Sequence, residues 1–225
     1  MIAVPREDYR ESLDELRADV ESMGREVLDQ LGRSLDALER DDRGLAREVI
    51  DGDERVNQQY LDLEADCIEL IALQQPVASD LRFVAASFKI LTDLERIGDL
   101  ATNLARYALA GSSEVISESR LRGIGETASK QAEKALDAYV EADPEACRAI
   151  AERDDDLDAS CQNASEAVVR ELVASEPDRW DIERLLDDVS RLLLTVRDLE
   201  RVGDHAVNIA ARTLYMSDGD PELIY

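Results

Sequence analysis

The chain has 225 residues and a formal net charge of -26, with 44% apolar residues but only 4% aromatic ones. An anionic surface of this strength repels nucleic acid and anionic lipid, so direct nucleic-acid binding is disfavoured. A core poor in rings must be built from Leu, Val, Ile and Ala, a palette that favours helices.

The first apolar stripe runs through Leu13, Leu16, Val20, Met23, Val27, Leu31, Leu35 and Leu38 at steps of three and four, the spacing of one helix face. A second helix is predicted from about Leu45 to Leu73, with Val49, Val56, Tyr60, Leu63, Cys67 and Leu70 inward. A third runs from Val77 to about Ala110. The pattern then restarts, giving helices over about Glu114 to Glu141, Pro144 to Ala174 and Pro177 to Tyr215. Pro5, Pro76, Pro144, Pro177 and Pro221 all fall at these boundaries, and Asp143 and Ser175 stand where helix caps are expected. Helices of about 30 residues are roughly 45 Å long, and short connections make them antiparallel neighbours. The expected fold is all-α: two tandem three-helix bundles, 1–111 and 112–225, with an extended coiled coil as the competing architecture.

No run of about 18 apolar residues is present, and MIAVPREDYR lacks the pattern of a signal peptide, so a cytoplasmic protein is expected. Cys67, Cys147 and Cys161 form no C-x-x-C pair and fall on apolar faces, as reduced core thiols do. Lysine is confined to Lys89, Lys130 and Lys134 while acids abound, which points to adaptation to high salt. At 1 M salt a Debye length of about 3 Å screens the self-repulsion, and unfolding in dilute buffer is the expected counterpart.

Residues 93–103 read DLERIGDLATN and residues 198–208 read DLERVGDHAVN, identical at eight of eleven positions, although the residues just before each are mostly different. The two halves have kept one polar cassette, so it has a shared job. Glu95, Asp99 and Asn103 lie at i, i+4 and i+8 on one stripe of the third helix, as do Glu200, Asp204 and Asn208 on the sixth. Leu94, Ile97, Ala101 and Leu104 point elsewhere, into a core. Gly98 and Gly203 sit mid-helix, where glycine costs about 1 kcal/mol against alanine and marks close approach by a neighbour. Carboxylates at i, i+4 repel one another, and a multivalent cation reverses that sign. Oxygen donors suit Mg²⁺, Mn²⁺, Ca²⁺ or iron. Against this stands the reading of a merely solvated face. Asp53 with Asn57 on the second helix, and Asp154 with Asp158 on the fifth, are further i, i+4 pairs placed to join the same sites. His205 follows Asp204 but points about 100° away around the helix.

Taken together these residues resemble the PhoU family of phosphate-signalling proteins. Asp53-x-x-Val56-Asn57, Gln75 to Arg82 (QPVASDLR) and Asp93 to Asp99 match the family pattern in order, and Asp198 to Asn208 match it again. The second half has no counterpart of the Gln-Pro-x-Ala-x-Asp-Leu-Arg stretch; Trp180 and Asp181 stand there. The resemblance implies metal clusters on the bundle surface, held by Glu95, Asp99, Glu200 and Asp204 with Asp53, Asn57, Asp154 and Asp158 contributing. It implies a non-enzymatic regulator of phosphate uptake, docked on the nucleotide-binding subunit of the phosphate ABC transporter. In many bacteria such a protein also links the transporter to a sensor kinase that represses phosphate-starvation genes. It would be peripheral to the membrane at most, with a homodimer left open. Two other readings are a carboxylate-bridged metalloenzyme, di-iron or phosphatase-like, and a structural scaffold. The single histidine cannot supply the two Glu-x-x-His pairs of a ferritin-like di-iron site.

Overall fold

The computed structural model describes residues 6–76, 78–111, 118–174 and 182–224. It contains α1 (Arg6–Arg40), α2 (Arg43–Gln74), α3 (Ser79–Ala110), α4 (Glu118–Glu141), α5 (Pro144–Ala174) and α6 (Ile182–Asp218), and no strand among the described residues. None of these helices is long and apolar enough to cross a membrane. Helices α1, α2 and α3 pack on one another as one three-helix bundle, and α6 packs on α4 and α5 as a second. The bundles join through α3 against α6 and α1 against α4. The expected Val77, 114–117 and 177–181, including the capped start at Ser175 and Pro177 and the Trp180–Asp181 pair, lie outside the described residues, as does most of the junction between the two expected domains.

Local chemistry sets the helix ends. Asp42 accepts hydrogen bonds from the amides of Gly44 and Leu45, so α2 begins at Arg43, ahead of the first apolar residue at Leu45. Asp143 does the same for Glu145 and Ala146, starting α5 at Pro144 as expected. The third helix starts at Ser79, not Val77, because Ala78 has φ 44° and cannot extend a right-handed helix. The sixth runs past Tyr215 to Asp218.

Most of the aliphatic palette packs as one core that spans both halves, with two smaller clusters beside it. Met23, Leu31, Leu94, Leu104, Leu136, Leu157 and Leu199, drawn from both halves, are almost wholly buried in a single cluster. Fully burying side chains of this size contributes about 1.5–3 kcal/mol each. Cys67, Cys147 and Cys161 lie buried and reduced, and burial pushes each thiol up to about 12. The α1–α4 contact is reciprocal. A Cβ on Gly24 would stand 2.6 Å from Leu136, and one on Gly125 would stand 2.7 Å from Leu35. At one end of this seam Arg17 donates to the carbonyls of Tyr139 and Val140 at the end of α4, at 3.1 and 3.2 Å.

The motif glycines mark the crossings of α3 on α2 and of α6 on α5, but they are not equivalent. A Cβ on Gly98 would find Val56 and Gln30 at an ordinary 3.5 Å. One on Gly203 would be driven into the fully buried Leu157 and stand 3.3 Å from Asp154. Gly203→Ala should therefore cost about 1–3 kcal/mol by overpacking, whereas Gly98→Ala should be neutral or stabilise by up to about 1 kcal/mol. Thermal denaturation of the two variants checks this; equal losses would contradict it.

Candidate metal-binding carboxylates of the two bundles

Each bundle builds its cluster from three helices. In the second, α5 presents Asp154 and Asp158, α6 presents Glu200 and Asp204, and α4 presents Gln131. Asp154, Asp158 and Asp204 each offer an oxygen, and these three atoms lie within 4.8 Å of one another. Cation–oxygen distances of about 2.0–2.6 Å allow three such atoms to share one hard ion. Gln131 donates from Nε2 to Asp154 Oδ1 at 2.8 Å and fixes its rotamer. Burial raises the carboxyl pKa of Glu200 above the ordinary range, and Asp158, Asp204 and Asp154 raise it further. Asp204 is raised by burial and by Asp158, against the lowering effects of His205 and Arg201. Asp154 is raised by burial and by Asp158, against its bond from Gln131. Arg201 makes no ion pair among the described residues. The cluster is thus a knot of carboxylates with no ion pair to a cation among the described residues.

The first bundle has the same scaffold with its charge partly answered. Gln30 Nε2 lies 3.5 Å from Asp53 Oδ1 and 3.1 Å from Thr102 Oγ1, and the Thr102 hydroxyl donates to Asp53 at 2.9 Å. Asn57, an amide where the second bundle has Asp158, donates to Asp53 Oδ2 at 3.2 Å. On α3, Arg96 donates to Asp99 at 3.0 Å and stands 3.5 Å from Glu95. Burial raises the Glu95 carboxyl, with Asp99 and Asp53 adding to it and Arg96 and His205 opposing. The eight residues expected from the sequence therefore gather in two groups of four. The three-carboxylate spacing found for the second group has no equivalent in the first among the described residues.

The structure adds residues that the sequence reading passed over. Gln30 and Gln131 each stand 23 residues before their aspartate, a repeated spacing that could have revealed them. The asparagines expected on the acidic stripes turn elsewhere. Asn208 donates to Asp93 on α3 at 3.3 Å, and Asn103 accepts from Arg106. His205 also leaves the cluster, its Nδ1 lying 2.9 Å from Asp93 Oδ1. Arg82 is partly buried, its Nε without a partner among the described residues.

With this arrangement in view, comparison with known proteins is decisive. A PhoU domain model matches the chain twice, over residues 20–108 and 121–213. The chain belongs to the PhoU family. It is 33% identical over 216 residues, 95% of its length and 86% of the relative's, to the phosphate-specific transport system accessory protein PhoU homolog of Pseudomonas aeruginosa. It is 33% identical over 215 residues, 94% of its length and 95% of the relative's, to PhoU homolog 1 of Methanothermobacter thermautotrophicus. The crystal structure of PhoU from P. aeruginosa superposes with a TM-score of 0.83 at 32% identity, covering 94% of this chain and all of that one. PhoU of Streptococcus pneumoniae, titled a phosphate transport system regulatory protein, gives 0.86 at 26% identity, covering 94% of this chain and 98% of its own. These are accessory and regulatory proteins, and this PhoU chain is not an enzyme. The metalloenzyme reading falls with that.

Asp158 is the charge felt by Asp154, Glu200 and Asp204 alike. A carboxyl whose folded pKa lies above its unfolded value costs stability at pH above both, so removing its neighbour's charge stabilises. In chelator at pH 7, Asp158→Asn, which installs the amide of the first bundle, should raise Tm by about 2–4 °C, while its further rise on adding Mn²⁺ should be smaller than in wild type. Differential scanning calorimetry checks both signs. A lower Tm in chelator would contradict the electrostatic account.

Proposed function

We propose that the chain is a regulator of phosphate uptake and phosphate-starvation signalling that acts as a metal-binding adaptor on the phosphate ABC transporter. The observation that carries this reading is the twofold match of the PhoU domain along the chain, with an oxygen-rich group of side chains in each match. Relatives named as accessory proteins of the phosphate-specific transport system support the transporter as partner. Its nucleotide-binding subunit is the proposed docking point, with a sensor kinase as the signalling partner and repression of starvation genes as the output. Both contacts place the chain on the cytoplasmic side. Glu200, Asp204, Asp154 and Asp158 would hold one ion or cluster, and Glu95, Asp99, Asp53 and Asn57 a second. Oxygen-only donors favour iron, manganese or magnesium, and Cys161 beside the second group stays a protonated thiol.

Bound cations would neutralise much of the repulsion within each cluster and present a fixed charge on an otherwise anionic face. That face could then approach a partner without like-charge repulsion. The acid-rich, lysine-poor surface further supports adaptation of this member to high salt. Affinity capture from phosphate-replete cells tests the function. The nucleotide-binding subunit should co-purify with wild type and fall by at least about tenfold with Asp158→Ala/Asp204→Ala. Capture of no transporter subunit by wild type would count against the adaptor reading.

A further inference from the structure

The internal duplication provides the protein's own control for one feature that the phosphate function leaves unused. Asp42 and Asp143 cap α2 and α5 identically, so Leu38 and Tyr139, equally placed before these caps, occupy equivalent sites at opposite ends of the seam between the bundles. At the Tyr139 end the site is plugged. The ring is fully buried and stacks on Phe83 with centroids 6.4 Å apart and planes 10° apart. Its hydroxyl lies 2.8 Å from Ser87 Oγ, and the Arg17 guanidinium lies over both rings at 4.8 and 5.7 Å.

At the other end no described residue takes the place of that ring. Leu38 stands for Tyr139, Leu192 for Ser87 and Asp188 for Phe83, following the register of the repeated motifs. What remains is a cavity of about 410 Å³ between α1, α3, α4 and α6. Leu38, Leu121, Leu192 and the ring of Tyr107 form apolar walls, and Tyr107 is held rigid by its 2.8 Å bond to Asp198. Volume and lining fall within the range of small-molecule sites, about 300–1,000 Å³ with mostly apolar walls.

We propose that this cavity binds a planar aromatic molecule of nucleoside size, whose ring takes the place that Tyr139 fills at the opposite end. The rim defines the polar chemistry. Arg122 is engaged by Glu39 and Glu126 at 2.6 and 2.9 Å, and Arg191 by Asp188 at 2.5 Å, so these guanidiniums are already answered. Lys130 also lines the rim, but Asp36, Asp41 and Glu133 add further acceptors, leaving five acids against three bases among the lining residues. Such a rim repels a polyphosphate and accepts hydrogen bonds from amino and hydroxyl groups, which a purine nucleoside carries. The site is separate from both carboxylate clusters and does not depend on their metal.

Isothermal titration calorimetry of the intact protein with adenosine, AMP and ATP tests the proposal. Adenosine should bind once per chain and more tightly than ATP. Leu38→Tyr, which rebuilds the plug of the other half, should weaken adenosine binding by at least about tenfold with the helical circular dichroism retained. Leu121→Phe fills the same space from the opposite wall and should cause the same loss, so misfolding of one variant leaves the other to decide. Absence of binding by wild type at millimolar adenosine, unchanged affinity in a folded filled variant, or tighter binding of ATP would each overturn it.

Discussion

Between the two bundles a wholly buried carboxylate, Asp198, accepts a hydrogen bond from Tyr107 at 2.8 Å and lies 3.1 Å from Arg197. Its counterpart from the first motif, Asp93, meets His205 and Asn208 across the same helix pair. A buried charge is tolerated only when paired and hydrogen-bonded, so these contacts fix how α3 and α6 lie against each other. That placement carries the two motif helices side by side, and the positions of the oxygen clusters follow from it. The acid opening each repeated motif therefore serves the seam, while the acids further along belong to the candidate clusters.

The motif divides its labour within a few turns of helix. Its first aspartate reaches the other half, its leucines and small residues enter the core, and its glycine admits a neighbouring helix. Its remaining glutamate and aspartate face the flanking helix of their own bundle. Such economy explains why the cassette persists when its surroundings have changed. Divergence shows where the halves do different work. Asn57 against Asp158, and the Arg96–Asp99 pair against an Arg201 with no ion pair among the described residues, leave the second cluster more strongly anionic than the first. A cation therefore relieves more repulsion in the second bundle, which makes it the stronger proposed site.

Much of this was legible in the sequence because burial imposes periodicity. The aliphatic stripes of α1, α2 and α3 placed Val27, Val56 and Ile97 inward, and all are buried. The duplicated cassette and the pairs on α2 and α5 likewise pointed to i, i+4 acids, of which the structure brings Asp154, Asp158 and Asp204 together. What escaped has a physical reason in each case. Helix starts at Arg43 and Ser79 are set by a capping carboxylate and a left-handed Ala78, neither visible in an apolar pattern. Gln30 and Gln131 sit on helices that carry no acidic motif, and their importance arises only when α1 and α4 fold against Asp53 and Asp154. The roles of Asp93, Asp198 and His205 belong to contacts between residues about a hundred positions apart, which helical spacing does not encode.

The central claim is that the repeated carboxylates bind metal and that the second cluster holds it more firmly. Elemental mass spectrometry of protein incubated with Mn²⁺, iron and Mg²⁺ and then desalted tests it directly, comparing wild type with Glu200→Ala/Asp204→Ala and Glu95→Ala/Asp99→Ala. The account predicts stoichiometric metal in wild type, most of it lost with the second-half pair and less with the first. Metal-free wild type, or metal content indifferent to both pairs, would contradict it and leave the cassette as a packing and docking element alone.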